Sequence, residues 1–550
     1  MTGHSMTNPE MTSLEDFLAT RGIQPSSGGI VLPPGFYEIG NVVLDGESVS
    51  VRAEHPGTVT FEGSLRLGGN VTFEGITFSP ALDEDLLPRM DISQGGTVKI
   101  LNCHFRGGEN AAIVLCSGLV EVRDSRFENV RVKTALQVSG ERSRLSLERC
   151  VLDACMQPLV ASSSAYVGME QCELIGSAEI WPQVVIKTGA QVTLEACHLR
   201  DGLSHAVWVK EQGQASITGC TISGFHKAAA IRAQDDGSKV DLSGTILHEG
   251  KQQIFGQTRA MVALTKCELI GSAEGWPQIT MATGAQVTLE ACHLRDGLSH
   301  AIWVKEQGQA SITGCTISGF HKAAAISVQD DGSKAILSGT TLREGLRPVY
   351  GQDKAMVALA KCELIGSAEK YPQVTMTTGA QVTLEACHLR DGLSNAVWVK
   401  EQGQASITGC TISGFHEATA IHAHDDGSKV ILSGTILRDG KQQIYGETRA
   451  MVALTKCELI GSAEKYPQIT MATGAQVTLE ACRLRDGLSH AIWVKERGQA
   501  SVRGCTISGF HKAVAICAQD TGSHVIMSGA AFSDVGKTQF VRDGGTISNR

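Results

Sequence analysis

The passage QVTLEACHLRDGLSHAVWVKEQGQASITGC, Gln191 to Cys220, returns almost letter for letter at Gln286, Gln381 and Gln476, at a constant interval of 95 residues. Self-similarity at a fixed period is the mark of a stacked repeat, in which each unit buries its apolar face against the next. The 95-residue interval contains a shorter one. VTLEACHL at Val192, ASITGCTI at Ala215, VDLSGTIL at Val240 and VALTKCEL at Val262 are one phrase, apolar-x-apolar-x-x-small-x-apolar. Its small residue falls at Cys197, Cys220, Thr245, Cys267 and Cys292, in steps of 23, 25, 22 and 25. Each long copy is therefore four short ones.

The phrase also precedes the near-identical copies, at Ile76, Cys103, Ser125 and Cys150, and runs on to Ala530. Alternation with period two marks strands with one buried face, and 3.6-residue periodicity is absent. Short strands parted by Gly, Asp, Asn and Ser turns predict an all-β parallel solenoid. About 20 rungs at ~4.8 Å each would make a rod roughly 100 Å long. Before it, TSLEDFLATRG reads as one short capping helix. Thr12 or Ser13 is the N-cap, Glu15 or Asp16 closes the box, Gly22 stops it, and Leu14, Phe17 and Leu18 cover the open apolar end. The expected organisation is a tail (1–11), helix and linker (12–27), diverged rungs (28–165), four copies continuing the same helix (166–545), and a loose tail (546–550).

The rungs resemble the right-handed parallel β-helix superfamily, whose best-known members are pectate lyases and related polysaccharide enzymes. The pattern V-x-L-x-x-C-x-L … G-x-x-x-A-V-W-V looks like the copper-maturation and F-box branch, where stacked rungs serve carbohydrate or protein binding. The opening GGIVLPPGFYEIGNVVLDGESVSVRAE is similar to the family's entry into its first coils. The resemblance spans about residues 28–540 and implies a single right-handed helix. It implies little about activity, because this fold hosts many unrelated functions.

Net charge is −9 with a pI near 6.0, which argues against a nucleic-acid binder. No run of about 18 apolar residues is present to span a membrane. The first residues lack the basic-then-apolar pattern of a signal peptide. Seventeen cysteines occur without CxxC pairs or zinc-type spacing, so a reduced, cytoplasmic setting is expected. Export without a cleaved signal is compatible with the same sequence. The recurring cysteines share a slot with Thr245, Ser125 and Ala530, so the slot is read as a packing position and no metal or cofactor is expected.

In HAVWVKE, inward Val207 and Val209 leave Trp208 and Lys210 outward. Continuing along the rungs gives a column with an aromatic on every second one: Trp208, Phe255, Trp303, Tyr350, Trp398, Tyr445 and Trp493. Lys210, Lys305, Lys400 and Lys495 follow its tryptophans. Such a line suits stacking sugar rings or a protein partner that buries it, including a second copy of the chain; a loop folded over it would hide it instead. Beside the column Glu211 pairs with Asp235, and likewise Glu306 with Asp330, Glu401 with Asp425, and Glu496 with Asp520. Carboxylates about 5 Å apart suit a retaining glycosidase or a cation, and equally suit ordinary turns. Every such feature repeats, whereas an enzyme normally builds one centre. His226, His321, His416 and His511 read as solvated turn residues; His205, His300 and His490 recur, but Asn395 replaces the fourth. The leading expectation is a non-catalytic scaffold that binds a protein partner or itself multivalently. The alternative is a pectate-lyase-like carbohydrate-active enzyme or a glycan-binding protein.

Overall fold

The computed structural model describes residues 11–21, 27–40, 43–44, 48–80, 88–92, 95–108, 111–131, 134–177, 180–273, 275–368, 371–463 and 465–549. It is an all-β parallel solenoid of about 22 turns, close to the count read from the phrase. The chain divides into two compact units, Met1–Glu268 and Leu269–Arg550.

In the first unit the phrase forms strands that stack residue on residue. Gln191–Glu195 pairs in parallel with Gln214–Thr218, then Lys239–Ser243, then Met261–Thr265. Its apolar positions align, so Leu194, Ile217, Leu242 and Leu264 form one buried file. Burying each such side chain contributes about 1.5–3 kcal/mol. After the phrase's first strand, just before the small residue, the chain turns sharply through one left-handed residue, Ala196, Gly219, Gly244 or Lys266. Two further strands complete the turn, such as His198–Gly202 and Val207–Val209. The diverged rungs are filled differently. Phe78, Phe105 and Phe127 stack face to face at 4.7 and 4.6 Å, on successive rungs.

The helix covers Leu14–Thr20, with Ser13 as its N-cap accepting from the Asp16 amide at 3.4 Å. Leu14 and Leu18 are buried, and Phe17 meets the Tyr37 ring edge-on at 5.5 Å. The Gly22 stop lies outside the described residues.

The second unit repeats the same three-strand turn. Gln286–Glu290, Gln309–Thr313, Lys334–Ser338 and Met356–Ala360 stack in register. Thr546–Asn549, expected as a loose tail, pairs with His524–Met527 as a further strand.

All seventeen cysteines are free thiols, and all but Cys116 are buried. Their slot is more than small. The Cys197 amide donates to Cys220 Sγ at 3.3 Å, the Cys220 amide to Thr245 Oγ1 at 3.4 Å, and the Cys220 thiol to the Thr218 carbonyl at 3.4 Å. Cys and Thr serve alike because each offers a polar hydrogen and a lone pair to backbone that the sharp turn leaves unpaired.

Candidate functional site

The parallel register sets the outward column in line. In the first unit Val160, Val185, Trp208, Arg232 and Phe255 stand on successive rungs. In the second the file runs Thr280, Trp303, Ser327, Tyr350, Thr375, Trp398, His422, Tyr445, Thr470 and Trp493, and continues to Cys517 and Phe540. The rings are half-buried rather than open, and cations cover the tryptophans. Lys210 lies 4.7 Å from the Trp208 centroid and Arg232 lies 5.0 Å from it. Lys305, Lys400 and Lys495 take the same place over Trp303, Trp398 and Trp493 at 4.8, 5.1 and 5.5 Å. Each lysine also reaches the following glutamate: Glu211 at 3.4 Å, and Glu306, Glu401 and Glu496 at 3.0 Å.

The acids are turn residues. Glu211 and Asp235 both have positive φ, 50° and 74°. The Asp235 carboxylate accepts the Glu211 amide at 3.3 Å, and the Glu211 carboxylate accepts the Thr188 hydroxyl one rung earlier at 2.8 Å. The same contacts join Asp330 to the Glu306 amide, Asp425 to the Glu401 amide and Asp520 to the Glu496 amide. Glu306 and Glu496 likewise accept from Thr283 and Thr473, and Glu401 from Thr377 and Thr378. Each carboxylate of a pair therefore points back one rung, at different partners, and the two do not face a common gap. The Thr188 hydroxyl holds Glu211 below the usual carboxylate range; the Lys305 ammonium does so for Glu306.

The histidines divide into two kinds. His226, His321 and His416 are exposed in loops and turns, as expected, whereas His511, read as a turn residue, is exposed within the strand Thr506–Gln519. His205 is mostly buried, with Nδ1 2.7 Å from the Ala229 carbonyl, and burial pulls it down to about 4. His300 and His490 make the same contact, with Ala324 and Val514.

Two features escaped the sequence reading. Gln183 is fully buried, and its Nε2 donates to the carbonyls of Leu174, Gly176 and Arg200 at 3.3, 3.1 and 2.9 Å. Gln278, Gln373 and Gln468 repeat this, so the recurring Pro-Gln dipeptide was its signal. The loop before that glutamine carries a second aromatic set, Trp181, Trp276, Tyr371 and Tyr466. Trp181, Trp276 and Tyr466 are 38%, 44% and 39% exposed. Trp181 and Tyr371 come up beside the column. Trp181 lines a cavity of about 290 Å³ with Gln137, Val160 and Lys187, and Arg347 lies 4.5 Å from Tyr350 and 5.0 Å from Tyr371. Among the described residues no helix is long and apolar enough to cross a membrane.

No curated protein matches the sequence significantly. Solved structures of similar fold include a GH87 α-1,3-glucanase catalytic domain in complex with nigerose, 9% identical, TM-score 0.40, covering 55% of this chain and 67% of that one. A PL6 family alginate lyase, AlyGC, is 8% identical with TM-score 0.36, covering 98% and 100%. Another PL6 alginate lyase, in complex with a trisaccharide, is 13% identical with TM-score 0.35, covering 62% and 87%. These likenesses concern the fold alone. The model of the right-handed β-helix region matches residues 182–342, 277–435 and 372–532, together more than half of the sequence. The chain belongs to the right-handed β-helix family.

Proposed function

We propose that the chain binds an extended polysaccharide along the outward column. The observation that carries this reading is the doubled aromatic pattern on one sheet face. A half-buried ring held by a lysine recurs along the strands, and a more exposed ring stands beside it on the preceding loop. The parallel ladder spaces the column rings by two rungs, roughly 9–10 Å, of the order of a disaccharide step in a β-linked glycan. Aromatic faces suit the C–H faces of sugars, and the lysines suit carboxylates or hydroxyls. The neighbouring acids serve as turn partners, so the proposal is binding without cleavage at this face. Membership of the copper-maturation and F-box branch, with carbohydrate as the ligand, is part of the same reading.

A second reading, a protein partner or self-association, rests on different residues. Leu203, Leu298, Leu393 and Leu488 recur in the RDGLS turns and are 44%, 45%, 54% and 57% exposed. Exposed leucines at a constant interval suit a repeated protein contact better than a sugar.

Affinity electrophoresis and calorimetry with alginate, polygalacturonate and a neutral β-glucan test the first reading. Trp276→Ala and Tyr466→Ala together are expected to weaken binding to the preferred glycan by roughly ten-fold or more, at about 1 kcal/mol per ring. Failure of the native chain to bind any of the three would overturn it, and new reducing or unsaturated ends would move the reading to the enzyme class.

A further inference from the structure

The four copies repeat almost every polar feature, and the third departs from the others at three positions that meet in space. His422, His424 and Glu447 stand where the second copy has Ser327, Gln329 and Gln352. The first copy has Arg232, Gln234 and Gln257 there, and the fourth Cys517, Gln519 and Arg542. His422 lies on the strand Thr419–Ala423 and His424 follows just past its end, two residues later. His422 aligns with Tyr445 on the next rung, and Glu447 follows two residues later on the same face.

Their polar atoms converge. His422 Nε2 lies 3.0 Å from Glu447 Oε1, and His424 Nε2 lies 3.7 Å from the same oxygen. The Tyr445 hydroxyl donates to Glu447 Oε2 at 3.1 Å. His424 Nδ1 lies 2.7 Å from Asp425 Oδ1, while Asp425 Oδ2 accepts the Glu401 amide at 3.2 Å. The Trp398 indole stacks on His422 at 5.8 Å and 10°. The three side chains remain 18%, 34% and 25% exposed, so solvent reaches them.

We propose that His422, His424 and Glu447 form a binding site for one divalent transition-metal ion of the Zn²⁺ class. Two imidazoles and a carboxylate are a donor set for such ions, whereas calcium and magnesium demand oxygen. Ligands held at about 2.1 Å from one ion stand roughly 3.0–3.4 Å apart, and the two observed glutamate–histidine separations bracket that range. Imidazole centroids each about 3.2 Å from one ion stand roughly 4.5–5.2 Å apart at such angles, so the two rings, 6.1 Å apart here, close by about 1 Å to share the ion. Among the described residues no three His, Cys, Asp or Glu side chains are already set to hold an ion, so the site forms only when Glu447 gives up its contact with His422 and the rings close on a common point. Binding displaces the proton of that contact. Asp425 accepts from His424 Nδ1 and so leaves Nε2 for the ion, the outer support that metal-bound histidines commonly have.

The test uses the full chain stripped with chelator and titrated with Co²⁺, followed by visible absorption, and with Zn²⁺, followed by calorimetry. The expected result is one equivalent bound, with a cobalt spectrum of nitrogen and oxygen ligation. The variant His422→Ser, His424→Gln, Glu447→Gln carries the second copy's own residues, which this backbone already accommodates, and should lose at least 100-fold in affinity. The reverse change in the second copy, Ser327→His, Gln329→His, Gln352→Glu, should raise the stoichiometry to two. Asp330 and Tyr350 already stand there in the places of Asp425 and Tyr445. A native chain with no cobalt spectrum, a triple variant of unchanged affinity, or a reverse variant that gains no site would each overturn the proposal.

Discussion

The second and third copies, 261–355 and 356–450, place different charge on matching rungs. In the second, Arg347 is sandwiched between Tyr350 and Tyr371, and burial lowers its pKa. In the third, Gln442 takes its place and donates to Thr470 Oγ1 at 2.7 Å, while Glu447 and two histidines cluster beside Tyr445. The inward positions hardly change: Phe320 and Phe415, Cys315 and Cys410, and Gln278 and Gln373 are all buried. An inward residue touches the rungs above and below, so changing one requires changing its file. An outward residue meets only its neighbours on the face and is free to acquire a local chemistry.

The largest effect expected from this comparison falls on what the copies share. A Cβ at Gly297 would lie 2.4 Å from the Phe320 ring, and one at Gly392 would lie 2.5 Å from Phe415. Gly297→Ala and Gly392→Ala should therefore destabilise alike, each by about 1–3 kcal/mol, because a buried ring must move. Hydrogen exchange of the flanking strands measures this locally. Unequal losses would break the claim that the two interiors are equivalent. A smaller effect separates the copies. Arg347→Gln installs the third copy's residue and removes a guanidinium shared by two rings, at about 1 kcal/mol. Tyr371 should become more accessible to a fluorescence quencher, while Tyr466, covered by Lys441 at 4.5 Å, should not change.

What was legible in the sequence follows the same division. The period-two phrase and its small slot gave the solenoid, the register and the column, since these depend on inward residues that repeat. The exposure of the column was not legible. Trp208 is covered by Arg232, which arrives 24 residues later and touches it only through the register. The acids read as a possible pair because their spacing is right, but the direction of each side chain comes from the left-handed turns at Glu211 and Asp235. The His422 cluster was passed over for a related reason. Its residues occur in one copy alone, so no repeat marks them.

The smallest effect at neutral pH, and the one most dependent on conditions, concerns the histidine that the third copy lacks. His300 Nδ1 lies 3.0 Å from the Ala324 carbonyl, and burial, assisted by the Arg347 charge, lowers its pKa. The folded state thus binds this proton less readily than the unfolded chain, whose imidazole titrates near 6.5. Stability from the neutral form is complete above that value and declines as pH falls through it toward the folded pKa. His300→Asn, the third copy's residue, should cost less than about 1 kcal/mol at pH 7, because an amide can still donate to the carbonyl. At pH 5 the same change should become neutral or stabilising, since the unfolded chain no longer gains a proton at that position. Asn395→His should do the opposite and make the third copy acid-sensitive. Exchange rates in Val397–Val399 and Ile302–Val304, followed from pH 7 to pH 5, report both changes; parallel pH dependence in the native chain would show that burial of His300 contributes nothing to the difference.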